Sequence, residues 1–425
     1  MIPNYWYAVL ESRNLKKKPV AIKRLGQSLV LWRDSAGKAV CMEDRCAHRG
    51  AALSLGRILD GEIACHYHGF RYNAEGRCTR VPCAGKDAKI PPALKVATYP
   101  ITEKYGIVFL WWGEEPKEWP EPPWIDELPQ DPRKCKTRSE IWPFNYVRSI
   151  ENQLDTHHWA FVHGAIMLVP GERVEDVKLS IDGDLICYDG TLRRPNVPPG
   201  KRGWDFGVKV RLPNATVIRV TPRFNSITYF TPIDEFSSFV LLRINQNYAR
   251  VPLMRQLFDS YCLRFMFLMT NYRQDFPVLH SLQPRTGGMG AYRLVKADQG
   301  ITAYIRLREA RIREALYGAD RPGDSLPRKD DNEPIRFNWR KTADAPNDAP
   351  FRLDARRELG LPTPVNGSAS DFPRLPMLAP KERRAHVGAE RGWQRAAEWA
   401  KVQMIFPMIF PLWCIHKVID RIDRT

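Results

Sequence analysis

The sequence predicts an α+β protein: a β-rich N-terminal part, then a larger part in which helices accompany an antiparallel sheet. Two observations carry that prediction. Up to Trp112 the apolar residues come in short runs separated by glycine and polar turn residues, the punctuation of strands. Beyond a proline-rich stretch, strand-like runs are bracketed by segments with helical periodicity. At 425 residues the chain has room for two domains and a substantial core. The boundaries read as a β domain over 1–115, a linker over 116–143 and an α+β domain over 144–320. A region rich in proline and charge follows over 321–385, and an amphipathic, then apolar, tail over 386–425.

In chain order, Val20-Ala21-Ile22 and Leu29-Val30-Leu31-Trp32 flank Gly26 and read as a hairpin. Ala39 to Met42 and Ile63 to Cys65 are strands that lead into histidine- and cysteine-bearing loops, and Ile107 to Trp112 is a buried strand closing the domain. The run E-E-P-K-E-W-P-E-P-P-W predicts an extended, semi-rigid connection. Val208 to Leu212 alternates apolar and basic residues, as a half-buried strand does; Thr216 to Val220 and Ser238 to Leu242 complete the sheet signal. Helical patterns cover about 251–282 and 303–317. The tail segment Val402 to Ile415 is apolar but short for a membrane span and twice interrupted by proline. It reads either as an interfacial anchor or as a segment packed on the α+β domain.

The first chemical signal is Cys46-Ala47-His48 followed, after sixteen residues, by Cys65-His66-Tyr67-His68. Two Cys and two His paired in this way match a Rieske [2Fe–2S] centre, with Cys46 and Cys65 on one iron and His48 and His68 on the other. Zinc is the competing reading, since it also takes such ligands. Each half runs on into glycine (C-A-H-R-G and C-H-Y-H-G-F), which favours a cluster-cradling loop. His66 stands where the motif usually carries proline and reads as a solvent or packing residue.

The second signal runs from Ser149 to His163, S-I-E-N-Q-L-D-T-H-H-W-A-F-V-H. His158 and His163 beside a carboxylate suit a non-haem Fe(II) site. Asp155, three residues before His158, would share its helical face and fix its tautomer. A spacing of five places the two histidines about 140° apart on a regular helix, so convergence requires the helix to loosen or end between them. The bland alternative is a core helix with incidental histidines.

Together the motifs resemble the α subunit of a Rieske non-haem iron oxygenase, a resemblance covering about Met1 to Leu316. The family's N-x-x-D-x-x-H-x-x-x-x-H is matched by Asn152, Asp155, His158 and His163. The resemblance implies a third iron ligand, Asp275, set among Leu268, Tyr272, Val278, Leu279 and Leu282 on one helical face. It also implies a helix-grip (START-like) catalytic domain, a homotrimer, and a link through Asp155 from His158 to His68 of a neighbouring subunit. Ala51 and Tyr67 stand where respiratory Rieske proteins carry an extra cysteine pair, which implies the lower-potential, oxygenase type of centre. Q-D-F-P-V-L-H and the apolar tail are most similar to the pheophorbide and chlorophyllide oxygenase branch, although a C-x-x-C pair of some members is missing.

The implied activity is oxidation of a bulky apolar cyclic substrate by O₂ and two electrons from a reductase or ferredoxin, with a [2Fe–2S] cluster and mononuclear Fe(II) as cofactors. Ring dihydroxylation and oxidative demethylation are alternatives within the family. A Rieske electron carrier is the alternative class, against which the long chain beyond His163 argues. The net charge of +17 fits an acidic electron donor or an anionic membrane surface, and no nucleic-acid-binding signature accompanies it. The first residues show no basic stretch followed by an apolar one, so the expectation is a cytoplasmic protein with peripheral membrane contact through its tail.

Overall fold

The computed structural model describes residues 1–317 except 86–88, 127–128, 164–172, 194–202, 222, 250 and 288–291. All of these lie in the first of two units into which the chain divides, Met1–Asn347. The expected region 321–385 and the tail over 386–425 lie outside the described residues. Among those described, no helix is long and apolar enough to cross a membrane.

Three small antiparallel sheets build the N-terminal part. One orders β1 (Tyr5–Glu11), β10 (Ile107–Trp112) and β9 (Ile101–Lys104); a second orders β2 (Val20–Arg24), β3 (Gln27–Arg33) and β4 (Ala39–Glu43). The third runs β5 (Arg57–Leu59), β6 (Glu62–Ala64), β7 (Arg71–Tyr72) and β8 (Cys78–Arg80). The β2–β3 hairpin closes on Leu25 and Gly26, both at positive φ (55° and 76°), the backbone signature of the tight turn that matches strand twist.

A seven-stranded antiparallel sheet dominates the rest, ordered β11-β17-β16-β15-β14-β13-β12. Its strands are β11 (Lys136–Trp142), β12 (Arg173–Asp182), β13 (Leu185–Arg193), β14 (Trp204–Arg211), β15 (Ala215–Thr221), β16 (Phe224–Pro232) and β17 (Ser238–Gln246). Strand β11 falls inside the stretch read from sequence as linker. It pairs along its whole length with β17, so the last residues of that stretch are an edge of the large sheet. Residues 123–125 of that stretch are held as well: Trp124 and Ile125 are buried, and Tyr229 Oη donates to Pro123 O at 2.8 Å.

Both faces of the sheet are covered at β17. Val240, Leu242 and Ile244 of β17 turn to a core shared with helices α1 (Tyr146–Leu154), α3 (Pro252–Phe265), α4 (Phe276–Ser281) and α5 (Gln299–Tyr317). Phe239 and Leu241, alternating with them, turn instead to Trp6, Ala8, Phe109 and Trp111 of the N-terminal part. Burial on both sides is why Phe239 to Leu242 is unbroken apolar sequence, whereas a half-exposed strand would alternate. The hairpin tip joins the same contact, Leu25 N–H and Gly26 N–H donating to Pro232 O and Ile233 O at 2.7 and 2.9 Å. A short helix α2 (His158–Val162) follows α1 after a break, and between α3 and α4 the chain winds as a π-helix over Met266–Asp275.

Candidate metal centres

The first site sits where β4 and β6 end. Its two loops repeat one backbone pattern. Cys46 N–H donates to Ala51 O and its carbonyl accepts from Gly50 N–H, both at 2.8 Å. Cys65 N–H donates to Phe70 O at 2.8 Å and its carbonyl accepts from Gly69 N–H at 3.0 Å. Gly50 and Gly69 close the loops at φ of 78° and 72°, a region that L residues avoid. A Cβ on Gly69 would also stand 3.1 Å from Pro82 Cγ. Cys46 and Cys65 are buried, while His48 is exposed, His68 half-exposed, and their rings lie 4.9 Å apart. Thiols inside and imidazoles at the rim are the arrangement a Cys₂His₂ cluster needs. The stacking of His48 on Phe70 (4.4 Å, 8°) orients one of those rings. Burial is the largest influence on the Cys65 thiol and pushes its pKa up, so deprotonation there calls for a bound cation. His66 is exposed, in keeping with a solvent role.

Tyr72, unremarked in the sequence, is fully buried with its hydroxyl 3.2 Å from Cys46 Sγ. Four positions past His68 on a two-residue strand, it leaves no periodic signal.

The second site gathers His158, His163 and Asp275, whose ligand atoms lie within 4.8 Å of one another. His163 Nε2 is 3.1 Å and His158 Nε2 3.7 Å from Asp275 Oδ1. The carboxylate is 6% exposed, and no hydrogen bond satisfies its Oδ1. A buried charge in that condition calls for a cation. His163 Nδ1 lies 2.8 Å from Gln274 Oε1; with the proton on Nδ1 as donor, Nε2 presents its lone pair to the site. Burial presses the His163 pKa down, but Asp275 and then Gln274 outweigh it and leave it above its ordinary value.

Convergence of the histidines follows from the ending of the helix. Helix α2 stops at Val162, and His163 has φ −107° and ψ −3°. Two sequence expectations need correction here. Asp155 does not share a helix with His158: α1 ends at Leu154, and Asp155 is non-helical with φ −78° and ψ 87°. It still meets His158, because its Oδ1 accepts the backbone N–H groups of His157 and His158 at 3.1 and 3.3 Å. Its Oδ2 then stands 3.7 Å from His158 Nδ1, which has no hydrogen-bond partner. Burial raises the Asp155 pKa, yet the contacts with His158 and then His157 prevail and lower it. The second correction concerns Asp275. Leu268, Tyr272 and Val278 are 49%, 42% and 41% exposed, so they do not share its buried face. The π-helix bonds i to i+5 and rotates the phase away from a 3.6-residue period. Asn152 is half-buried on α1, one turn before Asp155.

Residues 5–100 match the family described as the Rieske [2Fe-2S] domain. A putative toluene-4-sulfonate monooxygenase system iron-sulfur subunit of Comamonas testosteroni is 36% identical over 38% of this chain and 46% of its own length. A 3-chlorobenzoate-3,4-dioxygenase oxygenase subunit of the same organism is 32% identical, over 38% of each chain. Chlorophyllide a oxygenase of Chlamydomonas reinhardtii is 34% identical over 38% of this chain and 24% of its own. The chain thus spans less than half the length of these curated relatives. In fold it is similar to dicamba monooxygenase (TM-score 0.60, 19% identity, 74% of this chain and 98% of the other). It is similar also to a QL mutant of Pseudomonas putida CBB5 NdmA (TM-score 0.57, 23% identity, 74% and 94%).

Proposed function

We propose that this chain, whose residues 5–100 belong to the Rieske [2Fe–2S] domain family, is the oxygenase component of a system that oxidises a bulky apolar cyclic substrate with O₂ and supplied electrons. One observation carries the reading: two imidazoles and a buried, unsatisfied carboxylate converge in a chain that also carries the Cys₂His₂ loops. When bound, the cluster would supply one-electron transfer and the mononuclear iron oxygen activation.

The residues would divide the work as follows. Cys46, Cys65, His48 and His68 hold the cluster, with the two imidazoles at the surface, where electrons arrive and leave. Tyr72 Oη, placed to donate to Cys46 Sγ, steadies the thiolate. His158, His163 and Asp275 would hold the iron, which would supply oxygen activation there. Gln274 keeps the proton of His163 on Nδ1. Asp155 bridges His158 to the His68 of a neighbouring subunit, Asn152 supporting it from α1, and the assembly is a homotrimer served by a reductase or ferredoxin. The partly exposed Asp155 carboxylate supports the bridge, since its Oδ2 is turned to His158 from the side away from Asp275. Trp159, stacked edge-on to Phe206 at 6.0 Å, supports an apolar substrate beside the metal. Contact with a membrane through the tail segment is part of the same reading.

Metal analysis is the test. Reconstituted protein should hold about three irons and two acid-labile sulfides per chain, the stoichiometry of one [2Fe–2S] cluster plus one mononuclear site. Asp275→Ala should lose the mononuclear iron and keep the Rieske spectrum. A wild-type protein with zinc and no sulfide would refute the cluster, and one that retains two irons at most would reduce the chain to an electron carrier.

A further inference from the structure

We infer that the outward face of α3 and the π-helix, from Leu253 to Tyr272, docks on an anionic lipid surface. The proposal is independent of the metal chemistry. Surface helices of globular proteins ordinarily turn their leucines inward and their carboxylates outward. Here Leu263 and Phe267 do turn inward, at 3% and 0% exposure, but the outward side departs from that rule. Leu253, Met254 and Leu257 are 66%, 59% and 58% exposed, and Leu268 and Tyr272 continue the apolar face. The carboxylates of residues 252–275 are Asp259 and Asp275 alone, and both are buried, at 4% and 6% exposure. Asp259 Oδ1 even lacks a hydrogen-bond partner, its other oxygen lying 3.8 Å from Arg255 Nε. What remains outside carries no carboxylate of this stretch: the apolar side chains stand with Gln256, Ser260, Arg264 and Arg273 among them.

An exposed apolar stripe edged by cations suits the boundary between anionic headgroups and acyl chains. The same charge pattern disfavours a second copy as the occupant, since it would set arginine against arginine on a chain of net charge +17. The attachment is to the surface of a bilayer and requires no spanning segment.

Hydrogen exchange on the full-length protein tests this. The probes are phosphatidylcholine vesicles with and without phosphatidylglycerol. Exchange over 253–272 should slow with the anionic vesicles alone, and the effect should fade in high salt. Leu253→Glu combined with Leu257→Glu should abolish that slowing and weaken vesicle partition about tenfold or more. Unchanged exchange over 253–272 in the presence of anionic vesicles overturns the proposal. So does protection that appears without vesicles and rises with protein concentration, which would assign the face to a second copy. Protection without vesicles that disappears on deleting 402–425 would assign it to the chain's own tail and overturn the proposal equally.

Discussion

His163 meets a carboxylate on one ring nitrogen and an amide oxygen on the other, and each contact has a measurable consequence. Gln274 Oε1 holds the Nδ1 proton, so Gln274→Leu should weaken iron binding about 10- to 100-fold, as removal of such outer partners does elsewhere. Gln274→Glu keeps an acceptor and should retain most of the affinity. Chelator competition measures both, and equal iron affinity in wild type and Gln274→Leu would show that the amide is incidental. The contact with Asp275 has a pH signature. His163 titrates above its ordinary value of 6.5 in the folded, metal-free protein. The pair's contribution to stability is therefore complete below the unfolded value and lost as pH rises through the folded one. Iron competes with that proton, so metal affinity should run the other way and increase with pH. Thermal unfolding of metal-free protein across that range, beside iron titrations, checks both signs; a metal-free protein that gains stability through this window contradicts the assignment.

Among elements, the two cluster loops and the π-helix do the positioning. Each loop turns on a glycine at positive φ, and a Cβ on Gly69 would in addition press on Pro82, 3.1 Å from its Cγ. Gly69→Ala should cost about 1–2 kcal/mol from the backbone alone. It should release the cluster at a lower temperature than wild type, followed by the visible spectrum during heating. A variant as heat-resistant as the parent would mean that the loop relaxes freely. The π-helix has the opposite legibility. A helix over this region follows from composition and periodicity, but the wider winding that turns Asp275 inward while Tyr272 points out does not. Its trace in the sequence is only that one regular stripe through Leu268, Tyr272 and Asp275 would bury two residues that the fold leaves outside.

At the scale of the described residues, the sheet is a partition between an N-terminal body and a helical layer, and in the proposed oxygenase electrons would cross from one centre to the other. Asp155, lowered in pKa by its contacts with His158 and His157 against the pull of burial, is the group proposed to join centres across subunits. Asp155→Asn removes its charge and keeps its size. The variant should bind close to the wild-type iron and its cluster should still be reduced chemically. Oxidation of that cluster in a single turnover with O₂ and substrate should become slow by orders of magnitude. Turnover at the wild-type rate would mean that electrons take another route.

The sequence by itself determined the identities and spacing of Cys46, His48, Cys65, His68, His158 and His163, because ligand chemistry within a loop or a turn is local. It determined the hairpin at Gly26 and three strands of the large sheet, β14, β15 and β17, from alternating or continuous apolar runs, whereas β12, β13 and β16 gave no run distinct enough to read. The linker reading missed β11, since proline density outweighed a short strand whose partner, β17, comes about a hundred residues later. Tertiary structure brings Asp275, implied by the resemblance, to both histidines, and it alone decided that Gln274 meets His163, that Tyr72 meets Cys46 and that Asp155 meets His158 across a helix break. Each of these depends on the phase or the end of a helix, which packing against distant strands imposes and no local period encodes.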